Sequence, residues 1–256
     1  MRPPLGTSGR AGAALLLAAI AGFVDAAGYV LLEQVYTSHM TGNTSGLGIG
    51  VAGEQWNYAL RHAWPIAAFV LGLITGATLT EYARRRRIHS RLAMILGAEM
   101  TLLAAVIALR PHWAPAPTLW VGVLAFAMGM QTVTVTRVAD QRVYTTYLTG
   151  TLAKFAEAIT AYGFWLADQW RWQRSNSRRE LWLREAVRHR LLQHALLTAG
   201  LWTAFVAGGL SGATLALRRG AGALLLPIGA LGLLLALDIV HPVAPVAESE
   251  PIGFEV

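Results

Sequence analysis

The chain contains no cysteine, and charged residues fill only 14% of its 256 positions. The first absence excludes disulfides, thiolate metal sites and thiol catalysis. The second argues against an ordinary soluble domain, where about 25% of residues are charged. Catalytic signatures are missing as well: there is no Gly-x-Ser-x-Gly, phosphate loop or His-Glu-x-x-His. No His-x-x-x-His or Glu-x-x-His spacing offers a metal site, and Glu185 with His189 lies in an arginine-rich loop that suits an ion pair. Neither an enzyme, nor a metal, nor a cofactor is expected.

What is present is apolar: 55% of the residues are hydrophobic. Runs near the roughly 20 residues that cross a bilayer extend over Ala11 to Leu32, Ala63 to Leu79, Leu92 to Leu109, Leu119 to Val138, Leu191 to Leu217 and Ala221 to Val240. The formal charge of +7 comes almost wholly from arginine clustered between these runs, so it reads as membrane orientation, and no nucleic acid is expected. Arg2 and Arg10 ahead of the first run have the outline of a secretory signal, but the run continues to Leu32, past the roughly 7 to 15 residues of a signal core.

Two phrases recur in order. "VYTSHMTG" from Val35 is echoed by "VYTTYLTG" from Val143, and "FVLGLITGATL" from Phe69 by "FVAGGLSGATL" from Phe205. Upstream, Ala21-Gly22 is echoed by Met128-Gly129. The expected fold is therefore an all-α integral membrane protein, a single membrane domain of two repeats over about 11–110 and 117–240, with a mobile tail over 241–256. Short cytoplasmic loops carry excess arginine, which puts Arg84 to Arg91 and Arg171 to Arg190 on one side. That requires an even number of crossings between them, hence about six transmembrane helices, two inverted three-helix repeats and a cytoplasmic N-terminus. Arg2, Arg10, Arg137 and Arg142 then fall inside, and Arg61, Arg110, Arg218 and Arg219 outside. Leu152 to Trp170 is long enough to cross, which would make the repeats parallel; Lys154, Glu157 and Asp168 speak against a lipid-facing span there.

The Thr-Gly phrases carry the candidate site. Glycine lets backbone leave helical geometry while hydroxyls satisfy the freed groups, so broken or re-entrant segments are expected. Asp25, His39, Thr41, Gly42, Asn43, Thr149, Gly150 and Thr151 are the expected solute-binding set; the bland alternative makes Asn43 and Thr151 helix caps. Asp25 and Glu99, acids within spans, are candidates for proton coupling, or else they fix packing by hydrogen bonds. Lys154 and Glu157 read as a local pair. Gly72/Gly76 and Gly208/Gly212 should mark close helix crossings. Trp56, Trp64, Trp113, Trp120, Trp165, Trp170 and Trp172 should anchor span ends.

At "AGFVDAAGYVLLEQVYTSHMTGNTSGLGIGVA", "LAFAMGMQTVTVTRV" and "VYTTYLTGTLAKFAEAI" the chain resembles the YoaK-like family of bacterial multi-pass membrane proteins of unknown function. The resemblance covers about residues 12 to 240. Its Gly-x-x-Asp falls on Gly22 and Asp25, its Met-Thr-Gly-Asn on Met40 to Asn43, and its second Thr-Gly on Thr149 and Gly150. It implies a bacterial inner (plasma) membrane location and no known reaction. Together these readings lead to a permease-like carrier of a small solute, with a scaffold that binds protein or anionic lipid as the alternative. The solute is left open, and a homo-oligomer is compatible with the glycine faces.

Overall fold

The computed structural model describes residues 5–32, 34–86, 88, 90–109, 117–134, 136–138, 141–143, 147–173 and 185–243. The tail from 244 onward and Tyr144 to Thr146 of the second phrase lie outside them. The elements are α1 (Thr7–Leu31), α2 (Met40–Ala52), α3 (Trp56–Arg85), α4 (Arg91–Leu109), α5 (Pro117–Thr132), a hairpin of β1 (Thr136–Val138) and β2 (Gln141–Val143), α6 (Leu148–Gln173), α7 (Arg190–Arg219), a 3-10 turn (Gly220–Leu224) and α8 (Leu225–Val240). Apart from the small antiparallel hairpin, with Thr136 opposite Val143, the described secondary structure is helical. Helix is what a lipid environment demands, because it pairs every backbone group within the segment.

Four stretches are long and apolar enough to cross a membrane: Thr7–Leu31, Trp56–Arg85, Leu92–Leu109 and Arg190–Val240; Thr118–Thr132 is a shorter apolar helix. The last stretch holds α7, the 3-10 turn and α8, and the chain reverses within it. α6, with its charges, is not among the four.

The chain forms two compact units, Met1–Thr146 with Phe205–Val256, and Tyr147–Ala204. In the first, contacts between residues of neighbouring helices fix the helix directions. Gln131 Nε2 donates to the Leu17 carbonyl at 3.0 Å and Leu124 lies against Gly28, so α1 and α5 are antiparallel. Met100 lies against Gly232, and Ser90, just ahead of α4, bonds to Asp238 near the end of α8, so these two are antiparallel. The Leu5 amide donates to the Pro242 carbonyl at 3.2 Å, which sets α8 against α1. Along α3, residues 64, 72 and 76 meet residues 122, 126 and 130 of α5, a parallel pair. Along α1, residues 19 and 23 meet residues 208 and 212 of α7, also parallel. The apolar core between α1, α4, α5 and α8 includes Leu17, Phe23, Leu96, Leu103, Leu124, Met128 and Leu231.

Both parallel crossings are backbone against backbone. A methyl group on Gly22 would strike the Phe205 carbonyl, one on Gly208 the Ala19 carbonyl, and one on Gly212 the Phe23 carbonyl. At the other crossing the same holds of Gly129 with Phe69 and of Gly72 with Phe126, while Gly76 faces Met130. Among the tryptophans, Trp56, Trp64 and Trp170 are exposed, whereas Trp120 is 4% exposed and buried in the core, so it is not an interfacial anchor. Trp113 and the side chain of Trp172 lie outside the described residues.

Gly72→Ala and Gly208→Ala should therefore each destabilise the purified protein by a similar amount, about 1–3 kcal/mol or more, since backbone must move to admit the methyl. Gly97→Ala and Gly229→Ala, helical positions with open space around them, should instead be neutral or gain about 0.5–1 kcal/mol from helix propensity. Thermal melts in detergent check both pairs.

Candidate functional site

α1 continues past Asp25 to Leu31, and the chain then turns back on itself. Gln34 takes the left-handed φ of 57° in this reversal, and Val35 and Thr37 are buried. The returning segment runs alongside α1 until Thr37, Ser38 and His39 reach Asp25, six residues or about 9 Å before the helix end. There the Asp25 Oδ1 accepts from the Thr37 amide at 2.9 Å, the Thr37 hydroxyl at 3.0 Å and the Ser38 amide at 2.7 Å. Oδ2 lies 2.6 Å from His39 Nδ1. Asp25 is only 3% exposed, so its charge is taken up by these donors.

His39 precedes the first turn of α2, outside the candidate spans. Its ring packs edge-on against Phe205 at 5.6 Å and tilted against Tyr36 at 5.3 Å. The hydrogen bond from Asp25 raises its pKa above the ordinary 6.5, burial opposes this, and the Asp25 charge adds to the rise. The negative carboxylate also lies by the positive N-terminal end of α2, a favourable placement.

The Thr-Gly phrase is non-helical over Val35–His39, where the chain turns back beside α1, and helical from Met40 onward. α2 is continuous over Met40–Ala52, with Thr44 and Ser45 hydroxyls donating to the Met40 and Thr41 carbonyls one turn back. That bonding lets polar side chains stay in a helix at no cost to the ladder. The glycines serve packing: a methyl on Gly46 would stand 2.7 Å from the His62 ring, and one on Gly50 2.7 Å from the Ala59 nitrogen, which seats α2 antiparallel on α3. Asn43 is not a cap. It is fully buried within α2, donates to the Tyr36 carbonyl at 2.8 Å and places Oδ1 3.4 Å from His62 Nδ1. Thr41 and Gly42 are exposed on the opposite face, beside Thr44, Ser45 and Gly48.

In the second unit, α6 starts at the equivalent place, Leu148, so Thr149, Gly150 and Thr151 form its first turn. Thr149 is exposed, Gly150 packs on the Tyr147 ring, and Thr151 donates to the Tyr147 carbonyl at 2.7 Å, again within the helix and not as a cap. Nearby, Tyr162 donates to the Ala186 carbonyl at 2.9 Å and Trp165 stacks on His189 at 4.0 Å. His189 Nδ1 also accepts the Leu191 amide at 3.3 Å, so its ring is held by these contacts.

The structure thus joins Asp25 with His39, and Asn43 with His62, and it leaves Glu99 by itself. Glu99 on α4 is 0% exposed, and among the described residues neither carboxyl oxygen has a hydrogen-bond partner. Sequence reasoning missed Thr37, His62, Gln131 and Asp238. Asp238 was within reach, as an acid inside the last apolar run; its Oδ1 accepts the Val243 amide at 2.8 Å and Oδ2 the Ser90 hydroxyl, closing the end of α8. Among the described residues no group of three metal-binding side chains forms.

Asp25→Asn should destabilise the protein strongly, because an amide cannot accept from all four donors and each orphaned one costs about 1–3 kcal/mol; Thr37→Val should cost about 1 kcal/mol. The His39 contribution is fully present below about pH 6.5 and is lost as pH rises through the raised folded value. Melting temperatures of the wild type should therefore fall relative to His39→Gln between mildly acidic and mildly alkaline buffer; an unchanged difference would remove the charged pair from the account.

Comparison with known proteins gives this arrangement a family. A relative, the UPF0700 transmembrane protein YoaK of Bacillus subtilis (strain 168), is 28% identical over 146 residues, which are 57% of this chain and 65% of that protein. The match thus spans less than two thirds of the relative's length. No solved structure matches. The profile of DUF1275, a protein of unknown function, matches residues 13–237, from α1 into α8 and through Asp25, the first Thr-Gly helix and Glu99. The chain belongs to the DUF1275 family.

Proposed function

We propose that this transmembrane protein is a permease-like carrier of a small polar solute across the bacterial inner membrane, with six spans and a cytoplasmic N-terminus. The carrying observation is the pair of glycine crossings. Gly22, Ala19 and Phe23 on α1 hold the places that Gly129, Phe126 and Met130 hold on α5, and Gly208 and Gly212 on α7 hold those of Gly72 and Gly76 on α3. The same contacts are thus made twice by residues that match in sequence. The helix directions support an inversion: α1, α4 and α7 run one way, and α3, α5 and α8 the other. The triplet α1, α3, α4 then relates to α5, α7, α8 with every helix reversed, and α6 need not cross. Each copy lends its first helix to the other copy's second, which explains why the compact units do not follow the repeat boundaries. Inverted repeats joined this way support alternating access around a site at mid-membrane depth.

The exposed hydroxyl face of α2, with Thr41, Thr44 and Ser45, is what we assign to the solute, whose chemistry is that of a small hydrogen-bonding molecule. Asp25 and His39 hold the N-terminal end of α2 in place, with no free oxygen needed for the solute.

Two measurements test the reading. In this cysteine-free chain, Gln55→Cys should react with an impermeant thiol reagent on intact spheroplasts, while Arg86→Cys and Arg188→Cys should be protected. Reaction at Arg188→Cys but not Arg86→Cys would mean that α6 crosses, and the inverted arrangement would fall. In a thermal-shift screen of polar solutes, a ligand that stabilises the wild type should lose its effect in Thr41→Val, which should melt near the wild type without ligand.

A further inference from the structure

Glu99 lies midway along an unbroken helix, wholly buried, with both carboxyl oxygens lacking a partner among the described residues. The other two buried acids are treated differently: Asp25 has four donors and Asp238 two. The elements packed on α4 are α3, α5, the 3-10 turn and α8. α5 and the turn contain no titratable residue, and α8 contains only Asp238, which is already bonded. α3 carries Tyr58, Arg61 and His62 near its start and Glu81, Tyr82, Arg84 and Arg85 at its end, with none between Ala63 and Thr80. On α4 itself the other charge is Arg91, two turns away at the first residue. Among the described side chains, no cation faces the carboxyl from these helices, and an ionised acid there would be buried without compensation from them.

A metal ion does not fit this place. Buried hard cations take about six or more oxygen ligands, and here one carboxyl stands among helices whose carbonyls are engaged in their own ladders. A proton needs only the carboxylate. We propose that Glu99 is a proton-binding site, a neutral acid in this conformation, and that the proton it holds is the coupling ion of the carrier. Release follows when the helices open Glu99 to water, where the ionised form is solvated; Asp25, satisfied by its donors, takes no part. The binding of a proton stands on burial alone, while its coupling role rests on the carrier reading above.

The test uses the full-length protein in lipid vesicles. Its infrared spectrum at neutral pH should contain the carbonyl stretch of a protonated carboxylic acid, absent in E99Q. A second readout is thermal: E99Q, the neutral isostere, should melt close to the wild type at about pH 4, where the carboxyl is largely protonated in the unfolded chain as well. Above the ordinary Glu value of about 4.3 the folded state holds a proton that the unfolded state has lost, so the wild type should lose melting temperature relative to E99Q as pH rises from mildly acidic through neutral. A spectrum without the band, or one that keeps it in E99Q, overturns the proton site. With the band present, solute uptake driven by an imposed pH gradient in the wild type and lost in E99Q supports coupling. The band without any solute bound or moved leaves the proton site standing and removes the carrier.

Discussion

No side chain separates Gly208 from the Ala19 carbonyl where α1 meets α7, or Gly72 from the Phe126 carbonyl where α3 meets α5. In lipid, helices gain little from hiding apolar surface, since the surroundings are as apolar as leucine, so association depends on close van der Waals contact. Bare backbone against bare backbone maximises that contact, and each glycine omits a side chain that would hold the axes apart. Once these two crossings are made, the remaining helices have few choices. α4 and α8 pack antiparallel beside them, joined by the Ser90 to Asp238 bond, and α2 folds back onto α3 through Gly46 and Gly50.

Polar groups within this apolar frame follow one rule, that a buried charge must be met by donors. Asp25 meets it by drawing a loop down beside α1, and in doing so it fixes where α2 begins. Asp238 meets it by collecting the amide of Val243, past the end of its helix, and the hydroxyl of Ser90. Threonines along the helices, such as Thr75, Thr78 and Thr101, return their hydroxyls to the carbonyl four residues earlier. Against that background a carboxyl with no donor stands apart, because the frame meets Asp25 and Asp238, the other buried acids among the described residues, with donors.

The Thr-Gly helix joins these two themes. One of its faces, with Asn43, Gly46 and Gly50, is spent on packing against α3 and His62. The other, with Thr41, Thr44 and Ser45, is polar and exposed. The buried side is held both by close glycine contacts and by the hydrogen bonds of Asn43, which leaves the hydroxylic side open. The position of its N-terminus comes from Asp25, twelve or more residues earlier in the chain, so packing and site are coupled through one carboxylate.

The amino-acid sequence by itself determined the helical class, the apolar stretches, the place of the close crossings and the unusual character of Asp25 and Glu99. Those are local properties: composition, run length and glycine spacing act within one helix. It did not determine where the Thr-Gly phrase turns from loop to helix, because hydroxyl side chains either break a helix or bond back into it, and the reversal onto Asp25 with the seat on α3 decides between the two. Nor did it distinguish the two acids. Both stand in apolar runs, and the difference between four donors and none arises from which loop returns to which helix. The partners of the glycines were equally hidden, since α1 reaches past its own copy to Phe205, and a contact between residues so distant in the chain is decided only when the tertiary structure brings two backbones together.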